Sequence, residues 1–226
     1  MGDLFEFRLL GIAALAGMLG AAVVWNQQPE FDSGPFVPVE LQNGHLLNIG
    51  QFEVTSAQWQ ACHADNACAI ASNSSASNMP MTKVNFFDVT EFLIWLNSQT
   101  AARYRLPTSD EWAEMSDGLS RRETEKLFDD PRLAWAADYG AMESISAKLQ
   151  PGGAFGQTID GLADLQGNVW EWTSTCVAAN QTLCPAYIAG GLHEAIISAF
   201  VRDPLTGGCA AGLPPANVGF RLVREN

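Results

Sequence analysis

Hydrophobic and polar positions divide the chain into an apolar head and a long patterned body. Leu9 to Trp25 is a run of 17 residues without a charge. That is near the lower limit for a bilayer-spanning helix and longer than most signal-peptide cores. Asp3 and Glu6 outweigh Arg8 ahead of it, and Val23, Val24 and Trp25 offer no small-residue cleavage site. Trp25 stands where an interfacial aromatic belongs. The pattern predicts an uncleaved N-terminal transmembrane anchor over residues 1–25 rather than a cleaved signal. Arg8, the one nearby cation, favours an inside N-terminus and an exported domain. Gly11, Ala14, Gly17 and Ala21 give the run a small-residue face of the kind that packs against other membrane helices.

Residues 26–45, broken by Gln-Gln-Pro, Ser33-Gly34-Pro35 and Pro38, read as a linker, and residues 46–226 as one domain. Three helix starts carry capping chemistry. Thr55-Ser56-Ala57-Gln58 opens a helix through Trp59 toward Ala64. Asp88-Val89-Thr90-Glu91 opens a longer one, with Val89, Phe92, Leu93 and Leu96 on one stripe. Thr108-Ser109-Asp110-Glu111 opens a third, with Trp112 and Met115 facing inward. Tyr104-Arg105-Leu106 reads as a strand ended by Pro107. Residues 168–172 and 219–223 alternate like strands with one buried face. Helices and strands do not alternate, so the expected class is α+β, with two or more helices on a modest antiparallel sheet.

The net charge of −13 excludes nucleic acid and disfavours an anionic lipid surface as partner, since both require a basic face. Cys62 and Cys68 bracket five residues and Cys176 and Cys184 bracket seven, so each pair reads as a short-loop disulfide in an oxidising compartment. Other pairings of the four remain open at this level. Cys209 is left as a free thiol. The spacings and the scarcity of histidine argue against zinc.

Several segments together resemble the formylglycine-generating-enzyme, or sulfatase-modifying factor, family. Phe52-Glu53-Val54-Thr55 is similar to the family's opening EVT segment, and Pro80 to Asp88 to its entry into the long helix. Tyr104 to Trp112 resembles the RLPTEAEWE block, and Gly161 to Trp172 the block ending GNVWEW. Gly190-Gly191 and Gly219-Phe220-Arg221 resemble the GGS and GFR landmarks, with Ala189 where the family has arginine. The matches run in order from residue 52 to 223. The resemblance implies a C-type-lectin-like α+β fold with a surface groove.

The family's oxidases need two thiolates for Cu(I) between the last two landmarks. Here Phe200 and residues around Asp203 to Leu205 stand at those places, and Cys209 lies too far along, so no copper is expected. The family's sulfoxide synthases carry a histidine-rich helical module. This chain has His45, His63 and His193, without such spacing. The resemblance further implies calcium held by Asp164 and Glu171 side chains with the Gly167 and Val169 carbonyls, a hard-oxygen set that suits the ion. Otherwise Asp164 and Glu171 cap turns or bind backbone amides. The family's second calcium site is not carried over, because residues 134–153 look shortened. Trp170 and Trp172 read as core, Arg105 and Arg221 as buried ion-pair or carbonyl-bonding residues, and the paired glycines at 152, 190 and 207 as turn chemistry.

These features lead to the expectation of a single-pass protein of a bacterial inner membrane, with a non-catalytic binding or accessory domain in the periplasm. The Cys62–Cys68 loop and the C-terminal segment are similar to the family branch found beside copper nitrite reductases, which implies service to respiratory or denitrification enzymes. The alternatives are a structural subunit of an inner-membrane protein complex and an enzyme with displaced chemistry using Cys209 and His193. The expected partner is a protein: membrane-complex subunits or a periplasmic client.

Overall fold

The computed structural model describes residues 31–72, 74–116, 148–178, 183–192, 194–204, 209–211 and 217–225. The anchor segment, residues 134–147, His193 and the glycine pair at 207 lie outside these. No described helix is long and apolar enough to cross a membrane.

Strands β1 (Phe36–Glu40) and β2 (Leu46–Gly50) form an antiparallel hairpin, with Phe36 opposite Gly50 and Glu40 opposite Leu46. The segment read as a linker up to residue 45 therefore already belongs to the domain. Pro38 misled the reading. It sits in an edge strand, where a missing N–H is tolerated. Helices α1 (Ser56–Ala64) and α2 (Phe86–Gln99) follow, then β3 (Arg103–Arg105) and α3 (Ser109–Met115). The chain then runs through β4 (Trp170–Cys176), β5 (Ala186–Gly190), β6 (Ala195–Ser198), β7 (Cys209–Ala211), β8 (Val218–Gly219) and β9 (Val223–Glu225).

The capping boxes at Thr55/Gln58 and Thr108/Glu111 form as expected. The N-cap of helix α2 lies three residues before the expected one. Asn85 is the N-cap, its Oδ1 accepting from the Asp88 amide while Asp88 Oδ2 accepts from the Asn85 amide, each at 2.9 Å. Asn and Asp are both good caps, and Asp88 serves instead as the third helical residue of a reciprocal box. Val89, Phe92 and Leu96 are buried on the core side.

Two sheets form rather than one. The first has the order β1-β2-β9-β3 and is antiparallel; the second has the order β7-β6-β5-β4-β8, with β4 and β8 parallel. The strand expected over 219–223 is split between them. Gly219 ends β8 beside β4, Phe220 to Leu222 crosses over, and Val223 starts β9 between β2 and β3. The break follows from Arg221, whose fully buried side chain turns inward instead of alternating outward. Likewise β4 begins only at Trp170, because Asn168 sits at φ 67°, a left-handed conformation that Asn tolerates better than most residues.

Two apolar cores result. The larger joins Trp59, Phe92, Trp95, Trp170, Trp172 and Phe220; the smaller joins Val39, Ile49, Trp112, Met115, Leu162 and Val223. Trp59 stacks on Phe92 with ring centroids 5.4 Å apart. Cys62–Cys68 and Cys176–Cys184 are both bonded, as read from the spacing, with Cα atoms 5.3 and 5.8 Å apart. Gly190 and Gly191 are packing residues. A Cβ on Gly190 would overlap the Trp112 ring, and one on Gly191 the Trp170 ring.

Gly190→Ala is therefore expected to cost about 1–3 kcal/mol through overpacking. Denaturant unfolding, with the Trp emission of the native state as a second readout, checks this.

Candidate functional site

The densest polar cluster of the described residues lies where the two sheets meet. Glu171 on β4 and Arg221 in the crossover between β8 and β9 face each other, both side chains buried. Arg221 Nε donates to Glu171 Oε2 at 2.7 Å and Nη2 to Oε1 at 2.6 Å. Nη1 donates to the Gly50 and Gln51 carbonyls and Nη2 to the Ala163 carbonyl. All five guanidinium N–H groups are thus placed. Trp112 Nε1 on α3 donates to Glu171 Oε2 at 2.8 Å. One ion pair therefore ties β2, α3, β4, the 161–163 turn and the C-terminal crossover together.

Asp164, at φ 65°, turns its buried carboxylate toward the preceding loop, where Phe155 N donates to Oδ1 at 2.7 Å and Gly153 N to Oδ2. Glu53, just after β2, is the third buried carboxyl of this cluster. It accepts from Asn168 Nδ2 at 3.2 Å, and the same amide holds both backbone groups of Gln150. Burial pushes the Glu53 carboxyl up to about 8; Arg221 pulls the other way, and Glu171 and Asp164 add to the rise. Glu171 already occupies the one guanidinium, so Glu53 keeps its proton instead. Burial also opposes the Arg221 charge, but Glu171, with Glu53 and Asp164 behind it, outweighs it and holds the guanidinium above its ordinary pKa.

The expected calcium set was Asp164, Gly167, Val169 and Glu171. These side chains do not fit the ion. Both Glu171 oxygens are bonded to Arg221, whose charge would repel a dication, and both Asp164 oxygens accept backbone amides. The Gly167 carbonyl accepts from the Val169 amide inside the turn. Among the described residues, no group of three or more His, Cys, Asp or Glu side chains is placed to hold a metal ion.

Residues 194–204, in the interval where the resemblance puts the oxidases' copper thiolates, contain no cysteine. Phe200 is exposed and packs on Phe87, ring centroids 4.9 Å apart. Arg202 makes a two-pronged ion pair with Asp88 at the start of α2, Nε to Oδ2 and Nη2 to Oδ1, each 2.7 Å. Asn85 Nδ2 donates to the Phe200 carbonyl at 3.3 Å. Cys209 lies in β7 opposite Ile197, with its side chain outside the described region. Beside Glu53 a cavity of about 70 Å³ opens between Pro35, Phe52, Val54 and Leu222. Ligand pockets usually start at roughly 300 Å³.

Sequence reasoning placed Arg105 and Arg221 correctly as ion-pair residues. Arg105 clasps Glu111 at 2.7 and 2.8 Å. It missed Glu53, Asn168 and Trp112 as members of the central cluster, and Asp88 and Arg202 as a pair. Glu53 did carry a signal, an acidic residue between Phe52 and Val54 in a segment otherwise patterned for burial.

This arrangement defines a two-sheet α+β domain organised around a buried Glu–Arg pair. Residues 18–226 match the sulfatase-modifying factor enzyme 1-like domain, and the chain belongs to that family. No curated protein matches it. Among solved structures it is similar to PvdO from Pseudomonas aeruginosa, at 20% identity and a TM-score of 0.54, covering 81% of this chain and 82% of PvdO. It is also similar to Treponema denticola variable protein 1, at 18% identity and TM-score 0.51, covering 84% of this chain and 92% of that one. CarF is a third, at 20% identity and TM-score 0.50, covering 85% and 95%. At these identities the likeness concerns the fold.

Two outcomes are expected. Glu53 binds its proton more tightly folded, about 8 against an ordinary 4.5. Its contribution to stability is complete below the ordinary value and is lost as pH rises through the folded one. Glu53→Gln should flatten the fall in unfolding free energy between about pH 5 and about pH 9, read from denaturant midpoints. Arg221→Met leaves Glu171 buried without a cation and should cost about 3–5 kcal/mol. Adding Glu171→Gln should recover part of that loss in a double-mutant cycle.

Proposed function

We propose that this protein is a non-catalytic accessory or binding protein. In this reading residues 9–25 hold it in a bacterial inner membrane and its domain works in the periplasm on a protein client. The single observation that carries the reading is the Arg202–Asp88 pair beside Phe200. An exposed phenylalanine stands at one of the two places where the resemblance puts the oxidases' copper-binding thiolates, and the ion pair closes beside it. That place offers an apolar surface, Phe87 and Phe200 together, instead of soft ligands. The two disulfides support an oxidising compartment. Service to respiratory or denitrification enzymes rests on the likeness of the Cys62–Cys68 loop and the C-terminal segment to the branch beside copper nitrite reductases.

A second reading, a structural subunit of an inner-membrane complex, is favoured by the small-residue face of Gly11, Ala14, Gly17 and Ala21. A native pull-down of the full chain from mild detergent separates the two. Substoichiometric capture of a soluble client, kept by the periplasmic domain alone, is the expected result. A stoichiometric membrane complex that dissociates when Gly11 and Gly17 are made bulky supports the subunit instead. Full function of Cys209→Ser is expected as well, and its loss would point to displaced thiol chemistry.

A further inference from the structure

The outer face of α2 is unusual for a helix on a soluble domain. Phe87 and Ile94 are seven residues apart, two helical turns, and so share one stripe. Phe87 is 40% exposed and Ile94 is 67% exposed. Phe200 extends the stripe beyond the first turn, being 68% exposed and in ring contact with Phe87. The helix contains no lysine or arginine.

The chain enters the domain beside this helix. Phe31 packs edge-on against Trp95, with centroids 4.9 Å apart, and against Phe92 at 6.5 Å, both on α2. The apolar run ends at Trp25. Six Cα steps from Trp25 to Phe31 reach no more than roughly 22 Å. A domain of this size is roughly 40 Å across. If Trp25 stands at the membrane interface, α2 is therefore held on the near side of the domain. Few positions let the opposite side face the bilayer.

We propose that the α2 face formed by Phe87, Ile94 and Phe200 rests on the lipid surface that the N-terminal segment enters, so that the domain is docked in one orientation. This rests on the anchor proposed above. Glu91 lies between Phe87 and Ile94 on the same exposed side, which sets the depth. The carboxylate stays in water, and the rings reach the headgroup level without entering the acyl core. The face carries exposed Glu91 and lacks cations of its own, and Arg202 at its edge is already paired with Asp88. Attraction is therefore apolar, and the surface it fits is zwitterionic rather than anionic.

The test uses the full chain reconstituted in phosphatidylcholine vesicles, with the photoreactive p-benzoylphenylalanine placed in separate variants at Trp25, Phe87, Ile94 or Ile159. Ile159, fully exposed at the tip of a turn, reports background. Mass spectrometry then counts lipid adducts after illumination. Phe87 and Ile94, held at the headgroup level, should give several-fold more lipid adducts than Ile159. Replacing part of the lipid with phosphatidylglycerol should leave that yield unchanged or lower it. Adducts at Trp25 with only background at Phe87 and Ile94 would overturn the docked face while leaving the anchor standing. Background at Trp25 as well would overturn both. Cross-links from Phe87 or Ile94 to protein in native membranes, without lipid adducts in vesicles, would assign the face to a protein partner and overturn the lipid surface.

Discussion

One buried guanidinium organises this domain. Arg221 brings a full charge into the place where the two sheets meet, and a charge there is tolerable only if every N–H finds a partner. The partners come from β2, the 161–163 turn and β4, and Trp112 from α3 completes the Glu171 carboxylate. The geometry of each neighbour is constrained in consequence. The crossover must stop being a strand at Gly219, and Gly190 must lack a side chain so that Trp112 can reach Glu171. Hydrophobic residues at both 171 and 221 would pack without demanding any of this. The ion pair therefore buys specificity of arrangement more plainly than stability.

The sequence revealed local structure more clearly than the central cluster. Capping boxes are written within four consecutive residues, so Thr55 and Thr108 announced their helices, and the short-loop cysteines announced their bonds. Asn85 was hidden because Asp88 is also a capping residue, and only the partner to which each amide donates distinguishes them. Residues 219–223 have an alternating pattern in which one polar residue ordinarily faces solvent. Nothing local tells that Arg221 faces inward, because its counter-ion lies 50 residues away. Glu53 is harder still. Its environment is set by Asn168, Arg221, Glu171 and Asp164, contributed by three other parts of the chain.

The same distinction explains why the family block around residues 164–171 was legible as a motif and misleading as a site. The turn that would present oxygens to a cation is kept, with Asp164 and Asn168 both in left-handed conformations. What changes its meaning is the company of the side chains. Once Arg221 takes Glu171, the acidic turn becomes the anchorage of the 150–156 loop through Gly153, Phe155 and Gln150. A motif thus fixes backbone shape more reliably than it fixes chemistry.

The position of β9 has a consequence for how the chain is made. Val223 to Glu225 is an inner strand of the first sheet, between β2 and β3. The hairpin of β1 and β2 therefore joins β3 only through residues 223–225, and Arg221 closes the junction just ahead of them. Long-range pairing of this kind is slow and comes late. Until β9 is in place the first sheet is incomplete, and Val223 to Glu225 act as the latch that closes it.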